Sequence, residues 1–476
     1  MAGLSPQIRG IGILKGMASF YVENFGCRAA RADGEAVSSR LRAEGLTELD
    51  LCDADVVVIN TCSVTAEADR DARAFVRKTK RLNPAAKIVV TGCYAQRAPE
   101  EIAALAGVSA VVGNSHKAFV PEIVRSLSSE RSRIIPTFNL LQPGTSTQIH
   151  VDDHFAHSYI EDAQILPGVQ TRPNLKIQEG CSNRCTFCII PTTRGSSRSL
   201  SREKVLAQVS GFVAAGGNEL VISGINLGRW GRDLSPATSF ASLVETILKE
   251  TALPRLRLSS IEPMDWTPDL IAIIQHYAPG KIARHTHLPL QSGSDAVLRR
   301  MHRRYRPWHY AEKVAALAAA TGPELALGAD VMIGFPGESD AEFRETYDFI
   351  QQLPFTYLHL FPFSPRPGTR GWDLHRDNPV APQTVERRMA NLRALIAQKS
   401  HDFRLSMVGR TLPAITLNSS AHVAGLSHTS ALTDNYLPVE LSRPLPANLP
   451  VNLRIKAVSD SGALEGEIDQ VFSSTE

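Results

Sequence analysis

Three cysteines within eight residues, Cys181, Cys185 and Cys188 in GCSNRCTFCIIP, carry the strongest chemical signal in the sequence. They lie just after the strand-like run NLKIQE, so one loop presents all three thiols. Three thiolates on one loop can each take one iron of a [4Fe-4S] cube and leave the fourth iron open to another ligand. A structural zinc site wants a closed set of four ligands, usually in paired C-x2-C hooks, and no fourth ligand lies nearby. Buried, inert cysteines fit poorly too, because three in eight residues beside Asn183 and Arg184 follow neither a strand nor a helix period.

A second trio is scattered along the chain, but with a pattern. Cys27 follows FYVENFG, Cys62 follows VVVINT and Cys93 follows IVVTG, so each comes directly after a predicted strand. In an open parallel sheet the carboxyl ends of the strands share one edge, where ligands bind. The intervals are about one βα repeat, so the thiols are predicted to converge without unusual loops. The competing reading is three small buried apolar residues, a common fate for free cysteine. Cys52, in ELDLCDAD, lies off the strand ends and reads as a bystander.

The elements that must position these thiols read as α/β throughout. Residues 17–130 alternate β-branched runs with amphipathic stretches, as a parallel-sheet domain does. The rhythm fades over 131–170, where Ser, Pro, Gly, His and Asp collect, and this reads as a linker. It resumes over 171–402 with six βα units, NLKIQE, NELVISGIN, RLRLSSIEP, HTHLPLQSG, LALGADVMIGF and YLHLFPFS, which predict a partial barrel with functional loops at the strands' carboxyl ends. A polar helix around Pro382 to Leu405 leads to a turn-rich, short-stranded tail over 403–472, read as a small β-barrel.

The segment around Cys181, Cys185 and Cys188 resembles the radical S-adenosylmethionine (SAM) superfamily, whose fold is a partial (β/α)6 barrel. The resemblance implies that SAM binds the open iron and is cleaved to a 5′-deoxyadenosyl radical. It also implies SAM contacts from Gly217 and Glu219 in the turn Gly216-Gly217-Asn218-Glu219, from Ser259 and Glu262 after the third strand, from Arg303 in an M-x-R-x-Y pattern, and from the run Gly328 to Glu338. Over nearly the whole chain, NFGC, NTCSVTAEADRDAR, TGCYAQ, KIQEGCSNRCTFCIIPTTRGSSRS, HLPLQSGSDAVLRRMHRRY and MIGFPGE resemble the methylthiotransferase family. That resemblance implies two [4Fe-4S] clusters, the auxiliary one on Cys27, Cys62 and Cys93. It also implies two uses of SAM, one to methylate sulfur at the auxiliary cluster and one to drive its insertion.

The text after Cys62, Ser63-Val64-Thr65 with Ala68, Asp69, Arg70 and Arg73, is similar to the branch acting on C2 of N6-threonylcarbamoyladenosine at tRNA position 37. Arginines here are candidates to meet the threonyl carboxylate by charge-assisted hydrogen bonds, against the plainer reading of a solvated helix face. The alternatives are isopentenyladenosine 37, an aspartate of a small-subunit ribosomal protein, and a non-enzymatic iron-sulfur carrier or RNA scaffold. The carrier reading leaves a six-unit barrel unexplained.

Basic runs at Arg70–Arg81 and Arg299–Arg306 are candidate phosphate contacts for an anticodon stem-loop. The tail resembles a TRAM domain through LTDNYLPVEL, yet its basic residues are outnumbered by acidic ones, which argues against a strong phosphate grip. A net charge of +3 announces no global polycation. With no apolar run long enough for a membrane span and no recognisable signal peptide, the expected setting is cytoplasmic, as a monomer supplied with electrons by a flavodoxin or ferredoxin. Seven cysteines are too few and too oddly numbered for a disulfide framework.

Overall fold

The computed structural model of the chain describes residues 18–129, 147–159, 165, 167, 171–418, 422–423 and 426–471. Strands β1 (Ser19–Asn24), β2 (Thr47–Glu48), β3 (Val56–Thr61), β4 (Lys87–Gly92), β5 (Val108–Gly113) and β6 (Gln148–His150) form one parallel sheet in the order β2-β1-β3-β4-β5-β6. VVVINT in β3 is buried along its whole length, as a central parallel strand covered on both faces must be. β6 falls in the stretch read as linker. Its three residues are too short to show a strand period, and pairing to β5 supplies the order that local sequence lacks.

The helices α1 (Arg28–Ala43), α2 (Ala66–Leu82) and α3 (Cys93–Arg97) each begin close after β1, β3 and β4. In α2 the Thr65 hydroxyl accepts from the Ala68 N–H, Glu67 and Asp69 lie in the first turn, and Lys80 and Arg81 lie in the last. Cap and charges both match the helix dipole, which fixes where the chain turns after Cys62.

The central domain carries β7 (Asn174–Glu179), β8 (Arg198–Ser199), β9 (Glu219–Gly224), β10 (Arg255–Leu258), β11 (His285–His287), β12 (Ala326–Ile333) and β13 (Tyr357–Pro362). They pair as β10-β9-β7-β8 and β11-β12-β13, with a parallel bridge from Leu256 to Ile282 joining the two groups. The six parallel strands, β7 and β9 to β13, make the expected partial barrel. Leu175, Ile177, Leu220, Ile222, Leu256, Leu258, Leu327 and Val331 point outward into a single core beneath the helices. Alternation then turns Lys176, Gln178, Glu219, Ser223, Arg257, His285, His287, Asp330 and Tyr357 toward the lumen.

A partial barrel leaves a seam between its first and last strands, and here the N-terminal domain fills it. Asp33 of α1 pairs with Lys176 on β7. On the other side the Ala66 N–H donates to Ser364 Oγ at 3.0 Å, and Arg366 reaches Asp69 at 2.7 Å, both just beyond β13. The long helix Pro382–Ser406 leads to a closed five-strand barrel of Thr411–Thr416, Thr429–Thr433, Pro438–Leu441, Pro450–Val458 and Leu464–Val471. Its turn at 433–436 stoppers the amino end of the central barrel. There Arg284 holds the Asp434 carboxylate at 2.6 and 3.0 Å, and Arg257 donates to the carbonyls of Thr433 and Asp434 at 3.1 and 3.0 Å. Among the described residues no helix is long and apolar enough to cross a membrane.

Candidate active site

The sheet brings Cys27, Cys62 and Cys93 to its carboxyl edge. Cys62 follows β3 directly, Cys93 opens α3 and Cys27 caps α1. Gly26 has φ +108°, and a Cβ there would stand 2.6 Å from the Cys62 Cβ, so only glycine lets the β1 turn come this close. Burial pushes the Cys62 thiol up to about 12, with Cys93 and Cys27 adding to the rise. In the barrel loop, burial likewise pushes Cys188 up to about 12 and Cys185 adds to it, while Cys181 is raised by burial first. Thiols that oppose one another's ionisation in this way need a cation among them before all three can be thiolates.

Among the described residues neither trio gathers its sulfurs within 4.8 Å of one another. One tetrahedral zinc with bonds of about 2.3 Å would hold them about 3.8 Å apart. Three thiols that do not close on one metal suit a polynuclear cluster whose irons are ligated singly.

Each trio has a buried arginine donating to one sulfur. Arg194, on the short helix Ile190–Arg194 after Cys188, places Nε 3.2 Å from the Cys93 Sγ, so the loop of one trio contacts a thiol of the other. Asn114 spans the same gap, from the Cys93 Sγ at 3.4 Å to the Thr193 carbonyl at 2.8 Å. Arg194 also pairs with Glu179 at 2.8 Å and Asp33 at 3.2 Å, and Lys117 and Lys176 close the network. Burial raises both carboxyls, but the cations win, Lys117 foremost at Asp33 and Arg194 at Glu179, so both stay ionised. Three cations facing two carboxylates leave one positive charge beside the Cys93 sulfur. Arg303 repeats the motif at the barrel trio, donating to the Cys185 Sγ at 3.3 Å and to Glu262 at 2.5 Å.

Of the residues expected to meet SAM, Glu262 and Arg303 thus stand at the cluster loop, sharing a pocket with Asn183, Arg184 and Cys185. Ser259 is buried at the carboxyl end of β10, its N–H bonded to Ile222. Gly217 and Glu219 do not join them, and this corrects the sequence reading. Their turn leads into β9 and so lies at the amino end of the barrel. Glu219 is wholly buried against Arg257 at 2.8 Å, and a Cβ on Gly217 would strike the Phe212 ring. Neighbouring Gly216 and Asn218 bond Asn448 of the C-terminal barrel. A Gly-Gly turn looks alike at either end of a strand, and only chain direction separates the two.

At the carboxyl end of β9 the residue in place is Asn226, which sequence reasoning passed over. Its Nδ2 lies 3.5 Å from the Cys181 Sγ, and its N–H donates to Gln178 at 2.6 Å. Its position just past the strand ISG was the available signal. Glu338 braces the turn after β12, accepting from the Gly334 N–H at 2.9 Å and pairing with Arg388 at 2.8 Å. Cys52 is exposed and away from both trios.

The candidate phosphate patches divide. Arg77, Lys78, Lys80 and Arg81 are exposed along α2, but Arg70 pairs with Glu67 and Arg73 with Glu101 and the Tyr94 hydroxyl. In the second run Arg299, Arg300 and Arg306 are paired to Asp295, Glu342 and Asp295, and Arg303 is buried, while Arg304 stays exposed at the mouth beside Arg184.

Comparisons with known proteins fit this geometry. Residues 19–113 match a model described as uncharacterized protein family UPF0004, and residues 175–350 match the radical SAM superfamily. The chain is 35% identical over 424 residues to the threonylcarbamoyladenosine tRNA methylthiotransferase MtaB of Bacillus subtilis, covering 89% of this chain and 90% of that protein. It is 34% identical to the Aquifex aeolicus protein of the same name, covering 88% and 95%. To the tRNA-2-methylthio-N(6)-dimethylallyladenosine synthase of Syntrophobacter fumaroxidans it is 30% identical, covering 94% and 95%. Among solved structures, the radical SAM methyltransferase TsrM of Kitasatospora setae shares the fold with a TM-score of 0.51 at 14% identity, covering 72% of each chain. With a thiol trio on a radical SAM barrel, a second trio on the sheet that closes its seam, and relatives this similar over almost their full length, the chain belongs to the radical SAM methylthiotransferase family.

Proposed function

We propose that the protein transfers a methylthio group to C2 of N6-threonylcarbamoyladenosine at tRNA position 37. The observation that carries the reading is the contact between the trios, Arg194 of one loop against Cys93 of the other, which supports a reading of two cluster sites opening on one chamber. Cys181, Cys185 and Cys188 would hold a cluster that supplies an electron for SAM cleavage, and Cys27, Cys62 and Cys93 would hold one that carries the sulfur to be transferred.

The chain's own residues supply placement and exclusion of water. Asn226 and Arg303 donate to sulfurs of the barrel trio, and Glu262 fixes the Arg303 guanidinium there. The stopper at 433–436 and the N-terminal domain in the seam shield a radical from solvent on two sides. A flipped-out base enters by the remaining carboxyl-end mouth, where exposed Arg184 and Arg304 can meet anticodon-loop phosphates. The electrons come from a flavodoxin or ferredoxin, and the protein acts as a cytoplasmic monomer.

Mass spectrometry of tRNA nucleosides from a strain lacking the gene tests the reading. The 2-methylthio derivative of N6-threonylcarbamoyladenosine disappears and returns on complementation. Its persistence with loss of the isopentenyladenosine derivative transfers the assignment to that substrate, and no change in either turns attention to the ribosomal protein.

A further inference from the structure

Arg28 directly follows Cys27 and opens α1, so its guanidinium adds to the positive end of a 16-residue helix beside the auxiliary trio. Among the described residues it meets no carboxylate. It donates to the Tyr436 hydroxyl at 3.1 Å, and its guanidinium lies 5.6 Å from the Tyr436 ring centre. Tyr436 reaches up from the C-terminal barrel, and Arg257 packs on the same ring at 5.5 Å. Around them Arg172, Arg255 and Arg257 all share one carboxylate, that of Glu219. With Arg28, and with Arg284 on Asp434 of the same turn, five guanidinium groups stand against the carboxylates of Glu219 and Asp434 at the floor of the chamber. A half-buried, cation-rich floor of this kind favours an anionic ligand.

The sequence had pointed to Arg70 and Arg73 as readers of the threonyl carboxylate, but their partners are Glu67, Glu101 and Tyr94. On the purine, the threonylcarbamoyl group hangs from N6, and C2 lies across N1 on the same edge. A cation that reads the carboxylate must therefore stand close to the sulfur delivered to C2, and Arg28 adjoins a ligand of that sulfur site. We propose that Arg28, steadied by the Tyr436 hydroxyl, binds the carboxylate of the threonylcarbamoyl group and so selects an anionic N6 substituent over an apolar one. The inference rests on the substrate reading above and names the residue that enforces it.

The test uses the full, anaerobically reconstituted enzyme and two anticodon stem-loop hairpins, one bearing N6-threonylcarbamoyladenosine and one its threonyl methyl ester. Wild type is expected to show a KM ~10- to 100-fold higher for the ester, the size of a lost charge-assisted hydrogen bond. Arg28→Gln shows a similar rise on the acid hairpin and no further rise on the ester, while Arg28→Lys stays within a few-fold of wild type. Wild type that treats acid and ester alike overturns the proposal. So does an Arg28→Gln variant that loses equally on both hairpins with its iron content intact, since that is a structural effect. The wild-type comparison decides the matter even if the variant loses iron. An enzyme that ignores both hairpins but modifies an isopentenyladenosine hairpin overturns the substrate assignment itself, and this subsite with it.

Discussion

The two trios solve one problem in opposite ways. Cys181, Cys185 and Cys188 share a loop, so a single strand, β7, positions them, and their spacing is written in eight consecutive residues. Cys27, Cys62 and Cys93 come from three βα units, so their convergence depends on the register of β1, β3 and β4 and on a glycine that only a close turn requires. The first site is a local property of the chain. The second is a property of a folded sheet, and it is tied to the first through Arg194.

Separating the trios by substitution gives the largest effects. Cys188→Ala is expected to bring deoxyadenosine release from SAM to background, while Cys62→Ala abolishes methylthiolated product yet still cleaves SAM. Each variant should keep about half of the iron. Product formed by the Cys62 variant would mean that the scattered trio is not a working site.

The next effect distinguishes the arginines. Arg194→Met takes one of three cations from Asp33 and Glu179 in a buried network, leaving Lys117 and Lys176 to hold both, and should cost about 3–5 kcal/mol in denaturant unfolding. Arg303→Gln leaves Glu262, which is about a quarter exposed at its side chain (23%), and should cost about 1–3 kcal/mol. Equal losses would remove the difference between the two sites.

A smaller effect concerns the floor. Burial, then Arg257 and Arg28, hold His285 well below its ordinary value, so the folded protein keeps it neutral. As pH falls through about 6.5 the unfolded chain takes up the proton first, and stability from this residue is lost by up to about 1.4 kcal/mol per unit. His285→Gln should flatten that part of the stability profile between pH 7.5 and 6. The least effect is expected on the outside, where Arg70→Ala should change stability by under about 0.5 kcal/mol, since its pair with Glu67 is exposed.

The same contrast explains what could be read from the sequence. The barrel strands were legible as alternating or apolar runs such as NLKIQE and ELVISG, with β11, only His285–His287, carried by the apolar LPL that follows it, and both trios were legible because cysteine after a strand is a conspicuous pattern. The Glu219 assignment failed because a glycine turn carries no mark of which barrel end it occupies, and β6 because three residues show no period. Arg194 and Arg28 could not be found by spacing. Their roles come from distant partners, Cys93 and Tyr436, that only the docked domains bring near.

The filled seam has an implication for how the enzyme is built. The N-terminal domain leaves the ribosome first, yet it serves as the last stave of a barrel whose other staves are made afterwards. Once that stave is seated and the base is corked, iron, SAM and RNA would all approach the barrel trio by the mouth beside Arg184 and Arg304. On that route a docked RNA would cover the way in, so metal loading is expected to precede RNA docking.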